Sequence, residues 1–259
     1  MAPPVNTLLE AHDLHKSFGG VHAVGGVSFR VAPASVFAII GPNGAGKSTM
    51  LNLLAGVHRP DSGRLVLDGV DVTGLKPHRR AHLGIARTFQ KIRLFRSLSV
   101  LDNVAAGFHT KHRIPAWQYV LPGAAARADR RQFRHEAADL LEFVGLSHRA
   151  TVDAGSLSYG EQRMLELARA LATGPRLLMV DEPAAGLNNI EADLLLDQLV
   201  ALRNRGMAVI LIEHNMDLVT RVADHVMVMN HGQLLFAGTP SAMQSDPAVI
   251  EAYLGVELE

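Results

Sequence analysis

One stretch decides how this 259-residue chain folds: Gly41-Pro42-Asn43-Gly44-Ala45-Gly46-Lys47-Ser48-Thr49. It fits the pattern G-x-x-x-x-G-K-[ST], and it stands between the apolar run 36–40 and a helix predicted over 47–55. Glycines let the backbone curl so that successive N–H groups point inward, and the positive end of the helix dipole favours an anion there. The stretch therefore predicts a loop that binds phosphate. Its candidate binding residues are Gly41, Asn43, Gly44, Gly46, Lys47, Ser48 and Thr49.

Lys47 has the charge to neutralise the β- and γ-phosphates of a nucleotide, and Ser48 can offer a hydroxyl to Mg²⁺. A second segment, 176–182, is an apolar run that ends in two acids. An Asp at the end of a parallel strand lies where α/β proteins bind ligands, so we expect Asp181 to reach Mg²⁺ through water. Glu182 points differently and is the candidate general base for an attacking water.

Strands and helices alternate on both sides of a helical stretch. Strands are predicted over 36–40, 176–180, 207–212 and 225–229, with helices between the last three, which predicts a parallel sheet covered on both faces. A hairpin is predicted over 64–72, turning at Asp68-Gly69. In the helical stretch we expect a helix capped by Ser99 and running through Phe108, a loop over 109–123, and a helix over 125–144 that ends at Gly145.

Composition excludes several classes of protein. The chain has 25 basic and 25 acidic residues and no cysteine, which disfavours a polybasic nucleic-acid arm, a disulfide framework and a cysteine-based zinc site. Its N-terminus lacks the basic and apolar regions of a signal peptide. The apolar runs are far shorter than the ~20 residues that a membrane span needs. We therefore expect no nucleic-acid partner and no membrane crossing by this chain alone.

The segment Leu157-Ser158-Tyr159-Gly160-Glu161-Gln162 identifies the family. Ser158 and Glu161 form an S-x-x-E capping box, which predicts a helix start. Capping does not explain Gly160, because glycine is a poor helix former in the first turn. The segment resembles the LSGGQ signature of ABC-type ATPases, and the resemblance covers essentially the whole chain. It implies that Ser158, Gly160 and Glu161 contact ATP.

Other elements of that family follow in order along the chain. The resemblance implies that Phe18 stacks on adenine, that Gln90 senses Mg²⁺ and the γ-phosphate, and that His214 contacts the γ-phosphate. Asn188 stands where many relatives have Asp, which leaves the role of its side chain open. The candidate catalytic residues are thus Glu182, His214 and Gln90, and the candidate Mg²⁺ ligands are Ser48, Gln90 and Asp181.

The fold implied is an α/β ABC-type P-loop NTPase, with a mixed-sheet core, an antiparallel β subdomain and an inserted helical subdomain. We expect one ABC ATPase domain over 1–259, with the catalytic core in 1–91 and 158–259 and the helical subdomain in 92–157. Because the signature of one subunit closes over the ATP of another, a homo- or heterodimer is expected. The resemblance also implies permease subunits in the membrane, a periplasmic solute-binding protein acting indirectly, and a peripheral location on the cytoplasmic face of the cell membrane.

Several functions share this plan. Soluble ABC ATPases of DNA repair insert a long coiled coil, but only 66 residues separate Gln90 from Leu157. Translation-type members carry two ATPase domains, and a non-catalytic module would not need Glu182 and His214. The 45 residues after His214 predict no additional regulatory domain of the kind found in sugar- and methionine-type importers. Exporters of lipid or lipopolysaccharide usually have Leu-Pro-Gln where this chain has Thr88-Phe89-Gln90.

Segments such as 85–90, 94–95, 99–104, 181–188, 212–216 and 252–255 resemble the ATPases of branched-chain amino acid importers. The sequence therefore predicts ATP-driven import of leucine, isoleucine, valine or a related small solute. A lipid or lipopolysaccharide exporter and a urea or amide importer remain alternatives.

Overall fold

The computed structural model describes residues 7–108 and 123–254. Most of the loop predicted over 109–123 and the end of the segment 252–255 lie outside the described residues. The strands are β1 Leu9–Phe18, β2 Val21–Val31, β3 Val36–Ile40, β4 Ser62–Leu67, β5 Val70–Asp71, β6 Ile85–Arg87, β7 Leu177–Asp181, β8 Ala208–Ile212, β9 His225–Asn230 and β10 Gln233–Gly238. The helices are α1 Lys47–Ala55, α2 Pro77–His82, α3 Val100–Gly107, α4 Ala124–Phe143, α5 Tyr159–Ala172, α6 Asn189–Asn204, α7 Met216–Val222, α8 Pro240–Gln244 and α9 Pro247–Leu254.

A six-stranded sheet in the order β10-β9-β3-β8-β7-β6 forms the centre of the fold. Its strands run parallel except β10, which is antiparallel to β9, so the sheet is mixed. The central strands β3, β7 and β8 are fully buried, as continuous apolar runs in a covered parallel sheet should be. Parallel pairing brings the carboxyl ends of β6, β7, β8 and β3 to one edge, where ligands bind in such sheets.

A second sheet, β2-β1-β4-β5, is entirely antiparallel. It packs with α1 over one face of the central sheet, and the core between them includes Leu14, Val27, Met50 and Ile210. The predicted hairpin is present: Asp68 and Gly69 both have left-handed φ angles, 48° and 77°, as a two-residue turn of type I′ requires. The antiparallel subdomain expected from the sequence is therefore confirmed.

Helices α3, α4, α5 and α6 cover the opposite face of the central sheet. The Ser99 side chain accepts a hydrogen bond from the Asp102 amide and caps α3, as predicted. Helix α3 ends at Gly107, one residue earlier than expected, and α4 is followed by Gly145 with φ 77°. Within 7–108 and 123–254, no helix combines the length and apolar character needed to cross a bilayer.

The sequence pattern did not reveal β1, β6, β10, α2, α8 or α9. In β1 the residues His12, Asp13 and His15 break the alternation of apolar and polar side chains, and Asp13 has φ 47° at a shift in pairing register. Strand β6 has three residues and α2 six, which is too short for either period to show. Their existence depends on contacts with distant parts of the chain.

A buried arginine joins the end of α1 to the segment that follows β5. Arg80 is 1% exposed and donates to the carbonyls of Leu53 and Leu54 at 2.6 and 2.7 Å, and to those of Thr73 and Leu75 at 3.0 Å. The first two are among the last carbonyls of α1, where a cation is favoured. Burial lowers the pKa of Arg80 to about 10, so the side chain stays charged at neutral pH.

Arg80→Ala should lower the free energy of unfolding by about 2–4 kcal/mol, because it leaves buried carbonyls without a donor. Urea unfolding of the purified protein measures this. The exposed neighbour Arg79 offers the control, since Arg79→Ala should change stability by less than about 0.5 kcal/mol. Equal effects of the two substitutions would contradict the structural role given to Arg80.

Candidate functional site

The loop between β3 and α1 can form only with glycine at several positions. Gly41, Gly44 and Gly46 have φ angles of 149°, 80° and 99°. A Cβ atom on Gly41 would lie 2.1 Å from the carbonyl oxygen of Met229, and one on Gly46 would lie 2.2 Å from that of Ala23. These are steric requirements of the loop itself. They explain the glycines that the sequence motif contains at those positions.

The Lys47 ammonium lies inside this loop. The side chain is 7% exposed, and Nζ donates to the carbonyls of Gly41 at 2.6 Å and Pro42 at 2.9 Å. Burial lowers the pKa of Lys47, although the carboxylates of Glu182 and Asp181 act in the opposite direction. A buried cation facing two acids and a curled backbone is suited to bind an anion such as a nucleotide phosphate.

Asp181 ends β7 beside the loop and is already paired. Arg87 Nη2 lies 3.0 Å from Asp181 Oδ2, and Arg87 Nη1 donates to Asn52 Oδ1 at 2.6 Å. Burial raises the pKa of Asp181, while Arg87 works against that rise. Ser48 and Asn52 are four residues apart in α1 and share a helix face, so this bridge ties Asp181 to the face that carries the Ser48 hydroxyl. Neither Arg87 nor Asn52 was predicted from the sequence to belong to the site.

Glu182 follows Asp181 and lies at a sharp backbone turn. Its φ is 45°, a left-handed conformation that is uncommon for a residue with a side chain, and its amide donates to the Ile212 carbonyl at 2.9 Å. Gln90 Nε2 donates to Glu182 Oε2 at 3.0 Å, and His214 Nδ1 lies 4.0 Å from Glu182 Oε1. The structure thus brings together three residues that are far apart in sequence, each following a different strand of the central sheet.

Glu213 is a buried acid that the sequence analysis missed. It is 1% exposed and accepts hydrogen bonds from the amides of Ala184 at 3.1 Å and His214 at 3.3 Å. Burial raises the pKa of Glu213, and these amides oppose the rise. The carboxylate holds the turn after Glu182 against the end of β8. The only feature of the sequence that could have indicated Glu213 is its position as a charged residue directly before His214.

The signature segment begins α5. The predicted capping box is present: Ser158 Oγ accepts from the Glu161 amide at 3.2 Å, and Glu161 Oε2 accepts from the Ser158 amide at 2.8 Å. Gly160 is buried, and a Cβ on it would lie 2.3 Å from Glu191 Oε1. The atoms nearest to such a Cβ all belong to the Glu191 side chain of α6, which would have to shift to make room for it.

Asn188 caps α6 in the same way. Its Oδ1 accepts from the Glu191 amide at 3.0 Å, and the Glu191 side chain accepts from the Asn188 amide at 3.1 Å. Asn and Asp are about equally good at this position, so the replacement preserves the cap. Asn188 therefore caps α6, the helix whose Glu191 side chain packs on Gly160.

Phe18 ends β1 and is 43% exposed. His58 meets the ring edge-on at a centroid distance of 5.2 Å, and Lys16 Nζ lies 5.3 Å from the ring centroid. A partly exposed, supported aromatic ring can stack on a nucleobase.

The residues present fit a nucleotide with Mg²⁺. Glycine conformations and the buried Lys47 suit phosphate, and Ser48 and Asp181 offer the oxygen ligands that Mg²⁺ prefers. Gln90 is engaged with Glu182. The described ranges hold no cluster of three or more His, Asp or Glu side chains suited to a metal. Such a cluster is not needed, because Mg²⁺ at phosphate sites takes few protein ligands and completes its shell with phosphate and water.

Comparison with known proteins agrees with this geometry. A family model described as ABC transporter matches residues 24–185, and one described as branched-chain amino acid ATP-binding cassette transporter matches residues 233–259. The high-affinity branched-chain amino acid transport ATP-binding protein BraF of Pseudomonas aeruginosa is 43% identical over 249 residues, which cover 96% of this chain and 98% of BraF. LivG of Escherichia coli K12, whose name gives it the same role, is 39% identical with the same coverage of both chains.

Solved structures show the same fold. A nucleotide-free ATP-binding cassette from an ABC transporter matches with a TM-score of 0.84 at 33% identity, covering 95% of this chain and 98% of the other. The ADP conformation of such a cassette also gives 0.84 at 33% identity, covering 96% and 99%. The phosphate loop, the residues gathered at the ends of the central strands and the matches to relatives and solved structures all agree. We conclude that the chain belongs to the ABC transporter family, as one of its ATP-hydrolysing cassettes.

Proposed function

We propose that this chain hydrolyses ATP to drive the import of branched-chain amino acids through a membrane permease. One observation supports the chemistry above all: the buried Lys47 faces the edge at which Gln90, Glu182 and His214 meet. The names of the relatives, and the match of residues 233–259 to the branched-chain family model, support the substrate.

The proposed roles follow from the contacts. Lys47 leaves the carbonyls of Gly41 and Pro42 and binds the phosphates, together with the loop amides, Asn43 and Thr49. Ser48, Asp181 and Gln90 would hold Mg²⁺, which supplies neutralisation of phosphate charge when bound. Glu182 accepts a proton from the attacking water, while Gln90 and His214 orient the reacting groups. Phe18 stacks on the adenine.

A second cassette completes the site in this proposal. The exposed Ser158 and the half-exposed Glu161 lie at the start of α5, where they would approach the ATP held by a partner subunit. Gly160 is buried against Glu191 and has no side chain, so it would contact the partner's ATP through its backbone alone.

A groove of about 940 Å³ between α2, β6, α3 and α5 is the proposed docking site of the permease. Its lining is mostly apolar and includes Val57, Ile85, Phe89 and Leu94. Phe89 directly precedes Gln90, so a permease helix seated here would touch the loop that reaches Glu182. Docking through this groove would place the chain on the cytoplasmic face of the membrane, with the periplasmic binding protein acting from the other side.

Lys47→Ala should abolish ATP binding or reduce it below detection, because it removes the buried cation of the loop. Binding is measured by calorimetry on the purified protein, with folding checked by circular dichroism. Lys76→Ala is the matched control, since Lys76 is exposed at the start of α2 and should leave binding unchanged. Wild-type binding in a folded Lys47→Ala protein would refute the phosphate site.

Glu182→Gln should retain ATP binding while hydrolysis falls by roughly 10²–10⁴, the usual contribution of one general base. Because ATP is then not consumed, the subunits should accumulate as a closed pair. Turnover assays and gel filtration with ATP and Mg²⁺ measure both effects. Unchanged turnover without a closed pair would assign the base to another residue.

Deleting this subunit from its host should abolish high-affinity uptake of labelled leucine, isoleucine and valine. Restoring the wild-type chain should recover uptake, whereas restoring Glu182→Gln should not. Normal uptake of all three amino acids with a defect in envelope lipid would favour an exporter. Normal uptake with loss of urea or amide import would favour the other importer class.

A further inference from the structure

Helix α5 holds the backbone of residues 88–93, the segment after β6 that we call the Gln90 loop, through a buried guanidinium. Arg163 Nη1 donates to the Phe89 carbonyl at 2.8 Å, and Nη2 donates to the Gln90 carbonyl at 2.7 Å. The side chain is 4% exposed. Its planar fork binds two consecutive carbonyls, a geometry that fixes both the position and the orientation of the peptide between them.

Glu166, one turn further along α5, binds the same loop. We call Arg163 and Glu166 together the clamp. Glu166 Oε2 lies 3.3 Å from Arg163 Nη1, and Glu166 Oε1 accepts longer hydrogen bonds, of 3.4 Å each, from the amides of Phe89 and Arg93. It is 3% exposed, and burial raises the pKa of Glu166 while Arg163 and these amides counteract the rise. The pair therefore makes hydrogen bonds with both carbonyl and amide groups of the loop backbone.

The clamp lies between two functional parts of the molecule. On one side, the Gln90 side chain donates to Glu182 at 3.0 Å. On the other, Arg163 Nη2 donates to the Tyr159 hydroxyl at 3.1 Å, in the first turn of α5 beside Ser158. Phe89, Arg93 and Glu166 also line the apolar groove. A shift of α5 or of a groove occupant would thus reach Gln90 through this pair.

We propose that Arg163 and Glu166 are positioning residues, whose buried pair places Gln90 against Glu182 and links the signature helix to the hydrolytic centre. The inference rests on the proposed ATPase function. Stability alone is a weak reason for such a pair, because apolar residues of similar volume often stabilise a fold equally well. The specific contribution of the pair is its hold on two consecutive carbonyls of the Gln90 loop.

The double substitution Arg163→Met with Glu166→Leu separates the two roles. Because both members of the pair are removed together, neither is left buried without the other, and the protein should still fold. The thermal midpoint should fall only by the loss of the hydrogen bonds to the backbone after β6, and circular dichroism checks folding. The KM for ATP should change less than about twofold, since Lys47 and its loop are untouched. The kcat should fall roughly 10- to 100-fold, as a displacement of about 1 Å at a reacting group can cost that much.

A mutant cycle with Gln90→Ala tests whether the pair acts through Gln90. Residues that act as a unit are not additive, so adding the double substitution to Gln90→Ala should lower kcat no further. Arg163→Lys retains charge and fold but lacks the two-pronged donor, and it should lower kcat with the same non-additivity. Arg203→Met breaks a pair with Asp224 elsewhere and should leave kcat unchanged.

Suppose that Gln90→Ala is impaired while the double variant and Arg163→Lys both keep the wild-type kcat. That result would overturn the positioning role of the pair and leave the proposed ATPase function standing. Losses that multiply with that of Gln90→Ala would do the same, because they would show independent action. ATP turnover by a folded Lys47→Ala protein at the wild-type rate would instead overturn the proposed function itself.

Discussion

The burial of the Lys47 ammonium is the constraint on which the site depends. A cation taken out of water needs close partners, and here two carbonyls of the preceding loop supply them at 2.6 and 2.9 Å. That arrangement requires the curled backbone, which in turn requires glycine where a Cβ would collide with the carbonyls of Met229 and Ala23. Since those carbonyls belong to β9 and β2, the loop lies close against both sheets.

The strand order converts this local loop into a reaction centre. Because β3, β8, β7 and β6 lie side by side and parallel, their ends deliver Lys47, His214, Glu182 and Gln90 to one edge. Each acid there is held by a distinct set of partners, Asp181 by Arg87, Glu182 by Gln90 and Glu213 by two amides. Neighbouring carboxylates in different surroundings can perform different tasks, here a proposed metal contact, a base and a structural anchor.

Features set by a few consecutive residues were predictable from the sequence. The phosphate loop, the turn at Asp68-Gly69 and the caps at Ser99 and Ser158 all follow from local spacing and backbone chemistry, and the structure contains each of them. The assignment of catalytic and binding roles remains a prediction, as do the domain boundaries at 91 and 158.

Features that join distant segments were not predictable. Arg87 pairs with a carboxylate 94 residues away, and Arg163 binds carbonyls 73 and 74 residues away. No local pattern marks either arginine, because their partners are defined only once the strands and α5 have packed. Gly160 shows the same dependence, because it packs against the Glu191 side chain of α6, a contact that the signature segment alone does not indicate.

A crystal structure of the Glu182→Gln protein with ATP and Mg²⁺ would show directly whether Lys47 is the phosphate ligand. We expect Lys47 Nζ to leave the carbonyls of Gly41 and Pro42 for the β- and γ-phosphates, with the side chain at position 182 still beside Gln90. Nucleotide bound elsewhere, or bound at this loop while Lys47 keeps both of its carbonyl partners, would contradict the role given to Lys47.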